Sequence, residues 1–226
     1  MVESKGWDWN LVKSGSEDNK RIWLEPSEES FYYAEKWKRQ GLKAVLDLGS
    51  GLGRHSILFA KYGFKVTAAD ISEDGLEFLR EWQKKEGVDI QCKQADMKNL
   101  PFEDNAFDCI FAYHSISHCD SDGINQILGE IKRVLKPGGR IFCTLCSKET
   151  WSFAEADFPH IDENSLIKTD GPEKDVPHFY VNIADIQRLF SAFDFVLERI
   201  RHIDDCFYNG TVHNSKHYYI EAKLKN

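Results

Sequence analysis

Residues 47–53 combine one carboxylate, Asp47, with three glycines at alternate positions, Gly49, Gly51 and Gly53. A short apolar run at 44–46 precedes them, and apolar residues at 57–59 follow. A glycine turn between a strand and a helix lets the backbone turn sharply and leaves room for a ligand. The helix behind such a turn offers N–H groups to an anionic ligand group. The sequence therefore predicts a ligand site at this turn.

The aspartate decides which ligand is favoured. The dinucleotide-binding pattern would need a small residue three positions after its second glycine, and Ser56 satisfies this only loosely. Asp47-x-Gly49-x-Gly51-x-Gly53 instead resembles motif I of the class I S-adenosylmethionine-dependent methyltransferases. The resemblance implies that Asp47 and the loop Gly49, Ser50, Gly51 and Gly53 hold the methionine end of the cofactor. Because this cofactor carries an ammonium and a sulfonium, a nearby carboxylate suits it. The alternative is an ordinary tight turn.

The second strand is predicted at 65–70 and ends at Asp70, 17 residues past Gly53. An acid at this position can accept both ribose hydroxyls of an adenosine, so we assign Asp70 and the following Ile71 to the cofactor site. Ser72, followed by two acidic residues, already supplies a start signal for the next helix. A helix-capping role for Asp70 is therefore the weaker alternative.

Two further strands contribute candidates. After the third strand, at 89–94, the resemblance implies that Asp96 and Met97 flank the adenine ring; the alternative for Met97 is a core gap-filler. The fourth strand, 107–113, ends at Tyr113, which we assign to the cofactor site and also to the candidates for catalysis. His114 and His118 follow it, in a segment that faces the transferred methyl group in the family. The Asn/Asp-Pro-Pro-aromatic motif of amide- and nucleobase-modifying relatives does not occur here.

No metal site is expected from these residues. His114 and His118 would share an ion only in a helix, and two polar residues on a pocket rim is the favoured interpretation. Cys143 and Cys146 fall in the predicted fifth strand, where residues three apart point to opposite faces. We therefore expect both cysteines to be core thiols.

Residues 147–181 lose helical and strand periodicity but are rich in aromatic residues. A long loop in a compact domain is usually functional or disordered, and the aromatic density argues against disorder. The resemblance implies an acceptor-side insertion here, which adds His178 and Tyr180 as catalytic candidates. The alternative is that these aromatics only cover the sheet edge. A helix at 182–193 and an antiparallel hairpin of strands at 195–203 and 216–224 complete the chain.

The N-terminal residues 1–40 are predicted as an arm with three tryptophans, followed by a helix from about Ser27 to Gln40. The arm is interpreted either as an anchor on the core or as a lid over the cofactor pocket.

The 226 residues are expected to form a single domain with a Rossmann-like α/β fold. Its seven-stranded sheet is mostly parallel with an antiparallel last strand, and helices cover both faces. The net charge of −8 argues against a broad nucleic-acid surface. Without a membrane-length apolar run, a signal peptide or dense cysteine patterning, we expect a cytoplasmic protein with no membrane contact. The oligomeric state is left open.

The resemblance implies methyl transfer from S-adenosylmethionine, and we expect a small-molecule acceptor attacked by in-line displacement. Two alternatives remain. One is a nicotinamide dehydrogenase, which would use a similar loop. The other is a non-catalytic S-adenosylmethionine-binding partner of another protein, in which the loop would bind the same cofactor.

Overall fold

The computed structural model describes residues 3–7, 9, 17–169, 173–205 and 213–226. The strands are β1 (Ala44–Leu48), β2 (Lys65–Asp70), β3 (Ile90–Gln94), β4 (Phe107–Ala112), β5 (Leu135–Ser147), β6 (His160–Asp162), β7 (Ser165–Ile167), β8 (Pro177–Val181), β9 (Phe195–Asp205) and β10 (Ser215–Leu224). The helices are α1 (Glu17–Leu24), α2 (Glu28–Arg39), α3 (Arg54–Lys61), α4 (Glu73–Glu86), α5 (Ser121–Val134), α6 (Trp151–Ala154) and α7 (Ile183–Ser191).

The main sheet has the strand order β3-β2-β1-β4-β5-β10-β9. Strands β1 to β5 run parallel, and β10 runs antiparallel to both of its neighbours. The chain order changes direction between β1 and β4, so the carboxyl ends of these two strands flank the crevice where open α/β sheets bind ligands. The predicted fold and the predicted C-terminal hairpin are confirmed.

Side chains alternate along the central strands and divide the core between the two faces of the sheet. Leu46, Ile110 and Ile141 face α5 and α7, whereas Val45, Phe111 and Phe142 face α2, α3 and α4. Helix α5 begins where the carboxylate of Asp120 accepts a hydrogen bond from the Gly123 N–H. Both faces of the parallel strands are therefore covered, which holds their carboxyl ends in fixed positions.

The segment at 147–181 is more regular than its sequence suggests. It contains α6 and the antiparallel strands β6, β7 and β8, and β8 joins β5 in parallel at Cys146 and Ser147. The prediction of an irregular stretch was wrong for 177–181. All five residues of β8 are buried, so the strand shows no alternation of polar and apolar residues.

Among the described residues, no helix is long and apolar enough to cross a membrane. The predicted cytoplasmic location stays a prediction.

Candidate active site

The predicted cofactor residues meet at the carboxyl edge of the sheet. The amides of Gly49 and Ser50 both donate to the carbonyl of Ala69 at the end of β2, at 2.8 and 3.1 Å. Ser115, after β4, donates its hydroxyl to the carbonyl of Leu48 at 2.7 Å. The amide of Ala95, after β3, donates to the carbonyl of Asp70 at 2.9 Å. Backbone contacts therefore bring the ends of four strands together.

The glycine loop needs glycine for both conformation and space. Gly49, Gly51 and Gly53 have φ values of +74°, +55° and +90°, in the left-handed region that other residues rarely adopt. A Cβ atom on Gly49 would also lie 2.3 Å from the Cβ of Ser115. The loop is therefore held tightly between β1 and the segment after β4.

The amides of this loop are used within the fold. The Gly49 and Ser50 amides donate to the Ala69 carbonyl. The Gly51 amide donates to Asp70 Oδ2 at 2.8 Å, and the Gly53 amide donates to the Ser50 carbonyl at 2.9 Å. A phosphate-binding loop instead points its amides at the ligand. The loop thus does not form a pyrophosphate cradle, which weighs against a nicotinamide dehydrogenase.

Asp47 is a buried acid with a perturbed pKa. It is 1% exposed, and the Ser56 hydroxyl donates to its Oδ2 at 2.6 Å. Burial raises the pKa of Asp47 from 3.8 to about 7, and the neighbouring Asp70 adds to the rise, while the hydrogen bonds of Ser56 and the charge of Arg54 oppose it. A cationic ligand group would stabilise the ionised form. The environment of Asp47 therefore fits the ammonium and sulfonium of S-adenosylmethionine.

Asp70 ties the glycine loop to the end of β2. Its Oδ2 accepts from Gly51 and its Oδ1 accepts from the Ser72 amide, both at 2.8 Å. Burial raises the pKa of Asp70 although these amide bonds oppose it. Ser72 caps α4 through the amide of Gly75, as the sequence predicted. Each oxygen of Asp70 keeps a second lone pair, so ribose hydroxyls remain compatible with the observed bonds.

The hydrogen bond from the Ala95 amide to the Asp70 carbonyl places Asp96 and Met97 beside the end of β2. Asp96 Oδ1 accepts from the Lys98 amide at 2.9 Å, and Met97 packs half-buried against the core on the α5 side. This position beside the end of β2 is the one that the predicted adenine contact requires. The contact itself stays a prediction.

The N-terminal tryptophans pack over the glycine loop. The Trp7, Trp9 and Trp23 rings lie 4.7–5.6 Å apart, and a Cβ on Gly51 would lie 2.5 Å from the Trp9 ring. Arg54, at the start of α3, donates to the carbonyl of Ile22 and lies over the Trp23 ring. Residues 1–2, 8 and 10–16 of the predicted arm lie outside the described residues. An anchor and a lid are both compatible with this packing.

The backbone after β4 is unusual at His114. Its φ is +50°, and non-glycine residues with a positive φ are enriched at functional sites. The His114 amide donates to Thr144 Oγ1 at 2.7 Å, and its ring centroid lies 4.3 Å from that of His217. Burial, together with the charges of His217 and Arg54, holds the pKa of His114 well below its usual value. The ring is therefore neutral at neutral pH. The adjacent Tyr113 hydroxyl lies 3.0 Å from that of Tyr219.

The segment from His114 to His118 is not helical, so these two histidines do not form the pair considered from the sequence. His118 lies instead beside His178 of β8, with ring centroids 4.9 Å apart. Burial and the neighbouring His178 lower the pKa of His118 to about 3. Glu173, which sequence reasoning missed, has an oxygen 3.8 Å from His118 Nε2.

The two candidates on β8 differ in their surroundings. His178 is 2% exposed, and its Nδ1 lies 2.9 Å from the Val176 carbonyl. The predicted proximity of this strand to the segment after β4 is observed, since the Phe179 amide also donates to the Ser117 carbonyl at 2.8 Å. Tyr180 is 1% exposed, and its hydroxyl lies 2.8 Å from that of Ser152.

Cys146 and His217 are further residues that the sequence did not reveal as site residues. The Cys146 sulfur lies 3.7 Å from His217 Nε2 and 3.5 Å from the Ser117 hydroxyl. Burial raises the pKa of the Cys146 thiol, but His217 above all outweighs it and lowers the pKa to about 7. Cys143 packs in the core on the α5 side, so the predicted opposite orientation of the two cysteines is confirmed. No local sequence signal links Cys146 to His217, because Cys146 lies in β5 and His217 lies 71 residues later in β10.

Comparison with known proteins gives a family match over the same segment. Residues 45–139 match the family model described as "Methyltransferase domain". The chain is 33% identical over 111 residues to a sterol 4-C-methyltransferase of Caenorhabditis elegans, which covers 48% of this chain and 33% of that protein. It is 35% identical over 112 residues to a ubiquinone/menaquinone biosynthesis C-methyltransferase of Zymomonas mobilis, covering 48% and 44% respectively. The chain thus spans less than half the length of these curated relatives.

Solved structures with low sequence identity share the fold. An S-adenosylmethionine-dependent methyltransferase from Methanosarcina mazei superimposes with a TM-score of 0.72 at 18% identity, over 89% of this chain and 99% of that one. A 1,6-didemethyltoxoflavin-N1-methyltransferase from Burkholderia thailandensis, solved with S-adenosylhomocysteine, superimposes with a TM-score of 0.63 at 17% identity, over 100% of this chain and 93% of that one.

Proposed function

Since the chain carries a class I S-adenosylmethionine-dependent methyltransferase domain, we propose that it transfers a methyl group from S-adenosylmethionine to a small-molecule acceptor. The family and its cofactor are those that the sequence predicted. The observation that carries the proposal is the position of the buried Asp47, at the same sheet edge as a group of buried and half-buried histidines.

On the cofactor side, Asp47 and the loop of Gly49, Ser50, Gly51 and Gly53 hold the methionine end. Asp70, with Ile71, holds the ribose. Asp96 and Met97 flank the adenine. The bound cofactor supplies a methyl group that its sulfonium already activates, so the protein needs mainly to align the acceptor and exclude water.

On the acceptor side, the proposed lining comes from the segment after β4 and from β8, namely Tyr113, His114, His118, His178 and Tyr180. The low pKa values of His114 and His118 keep their rings uncharged at neutral pH. A neutral imidazole can accept a hydrogen bond from the acceptor's O–H or N–H and orient its lone pair toward the methyl group. The aromatic rings and the uncharged rings of His114 and His118 favour an uncharged small molecule. Two relatives whose names specify sterol or quinone chemistry agree with that class.

The cofactor assignment is tested with Asp70→Ala. We expect a tenfold to hundredfold loss of cofactor affinity by calorimetry, because each lost hydrogen bond contributes about 0.5–3 kcal/mol and about 1.4 kcal/mol corresponds to one decade. The variant also leaves the Gly51 and Ser72 amides unpaired, so its unfolding is measured in parallel. An unchanged dissociation constant in a folded variant would refute the ribose role.

The acceptor assignment is tested by S-adenosylhomocysteine release across a panel of uncharged small molecules. With an active acceptor, His178→Ala and Tyr180→Phe should lower turnover or raise the acceptor KM while cofactor affinity stays constant. His160→Gln, at an exposed position of β6, is the matched control and should have no effect. If both β8 variants only melt earlier, β8 is scaffolding. Cofactor binding without turnover across the panel would favour the non-catalytic alternative.

A further inference from the structure

Three ligating side chains from separate segments converge on the acceptor side of the site. His118 follows β4, Glu173 precedes β8 and His178 belongs to β8, and one ligand atom from each lies within 4.8 Å of the others. His178 Nε2 lies 3.2 Å from Glu173 Oε2, and His118 Nε2 lies 3.8 Å from Glu173 Oε1. Ligands bound tetrahedrally at zinc distances of about 2.0–2.1 Å are roughly 3.3–3.4 Å apart. The three groups are thus close to the spacing of one coordination shell.

The hydrogen bond at His178 points its other nitrogen at Glu173. Since a carbonyl only accepts, Nδ1 donates to the Val176 oxygen at 2.9 Å. Nε2 is buried, and among the described residues it has no hydrogen-bond partner. It faces a Glu173 carboxylate oxygen at 3.2 Å, a spacing that suits two ligands of one metal ion. Metal-binding histidines typically show this backbone bond from the second ring nitrogen.

We propose that His118, Glu173 and His178 form a binding site for one divalent transition-metal ion, represented by Zn²⁺. Two imidazoles and one carboxylate are the donor set of zinc sites that keep an open coordination position. The same set suits iron(II). This proposal departs from the sequence-based expectation of no metal, which considered only His114 with His118 and Cys143 with Cys146. An open position on the ion suits an oxygen, nitrogen or sulfur atom of the acceptor. That use rests on the proposed function, whereas the ion site does not.

Lys168 is the competing cation. Its ammonium contacts Glu173 Oε2, the oxygen nearest His178, so it balances the carboxylate charge when no ion is bound. A metal ion has to displace this contact. Lys168→Met should therefore tighten metal binding. If the pair of Lys168 with Glu173 is only structural, this variant should instead lose folding stability without a change in metal affinity.

The experiment titrates the full chain, after chelator treatment and dialysis, with ZnCl₂ against a chromophoric zinc chelator. We expect one Zn²⁺ per chain. His118→Gln, Glu173→Gln and His178→Gln should each weaken zinc affinity by about a hundredfold, the share of one ligand in a typical zinc-binding free energy. His160→Gln, which removes an exposed histidine outside the cluster, should bind zinc like the wild type. Lys168→Met should bind more tightly than the wild type.

Co²⁺ added to the wild-type chain gives a second readout that does not depend on variants folding. Intense visible d–d absorption at one equivalent, lost on adding Zn²⁺, is the expected result for a low-coordinate site. Failure of the wild-type chain to bind stoichiometric metal would overturn the proposal. So would zinc binding that persists unchanged in the three ligand variants. A metal that binds as expected while the acceptor panel stays inactive would favour the non-catalytic alternative and leave the ion site standing.

Discussion

If Asp47 holds the cationic end of the cofactor, as proposed, its pKa makes cofactor binding depend on pH in a defined direction. Burial raises this pKa from 3.8 to about 7 in the cofactor-free protein. A shift of about three units corresponds to about 4 kcal/mol of penalty on the ionised form. A cationic ligand requires that ionised form. Below about pH 7, binding must first expel a proton from Asp47, and affinity falls as pH falls.

The magnitude follows from the ionised fraction. With a pKa near 7, about three quarters of Asp47 is ionised at pH 7.5 and about one tenth at pH 6, so affinity should fall about eightfold between them. Above about pH 8 the ammonium of the ligand begins to deprotonate, which sets the upper limit of the window. His118, with its pKa of about 3, stays neutral throughout. Cys146, with a pKa of about 7, titrates in the same range and needs its own control.

The assay is calorimetry of S-adenosylhomocysteine, which keeps the ammonium, in two buffers with different ionisation enthalpies. Wild-type protein should release about 0.9 protons per ligand at pH 6 and about 0.5 at pH 7. Asp47→Asn should bind weakly with a flat pH profile, whereas Cys146→Ser should keep the wild-type slope. An affinity that is constant from pH 6 to 7.5, or a wild-type slope in Asp47→Asn, would refute the reasoning.

The same shift affects stability with the opposite sign. Because the folded-state pKa of Asp47 lies above its unfolded value, ionising Asp47 disfavours the folded state. The cofactor-free protein should therefore lose up to about 4 kcal/mol from this group as pH rises from about 4 through 7. Asp47→Asn should unfold at higher denaturant concentration than the wild type at pH 8. Equal or lower midpoints at pH 8 would contradict this expectation.

Two pairs of variants test contacts that stabilise the fold. Gly49→Ala combines left-handed strain with a Cβ clash at 2.3 Å, whereas Gly63→Ala, at φ +90°, meets nothing within 4 Å. Urea unfolding should show a loss of about 1–2 kcal/mol for Gly63→Ala from strain alone, and a larger loss for Gly49→Ala; similar losses would refute the clash. Lys36→Met removes the ammonium with which α2 pairs the buried Glu221 carboxylate. Because Lys36 is 25% exposed, we expect a loss of about 2 kcal/mol of stability, less than the roughly 3–5 kcal/mol lost when a fully buried ion pair is broken. Arg39→Met, from an exposed pair on the same helix, should change stability by less than about 0.5 kcal/mol, and an equal effect of both would contradict the burial argument.

Local patterns predicted most of the scaffold. The glycine turn after β1, the Ser72 cap of α4 and the apolar spacing of α5 each depend on residues within a few positions of one another. Propensity, capping and periodicity act at that range, so the sequence alone determined these elements. It also determined the C-terminal hairpin from its alternating residues.

The strand β8 escaped this reasoning for a physical reason. It pairs with β5 and β7 along its two edges, and all five of its residues are buried, so the period-two pattern that marks a half-exposed strand is lost. Sequence patterns therefore predicted the proximity of this segment to the residues after β4 but not that His178 lies in a strand.

The chemistry of the site was decided by tertiary structure. The sequence determined that Asp47 lies near the end of β1, but only burial beside Asp70 raises its pKa. His118 and His178 are 60 residues apart in sequence, and Cys146 and His217 are 71 apart. Antiparallel pairing of β10 with β5 places His217 opposite Cys146, and the backbone bond from Phe179 to Ser117 holds β8 beside the segment that carries His118. Desolvation and distances between charges arise only once these segments are packed, so the pKa values and the ligand cluster could not be read from residue spacing.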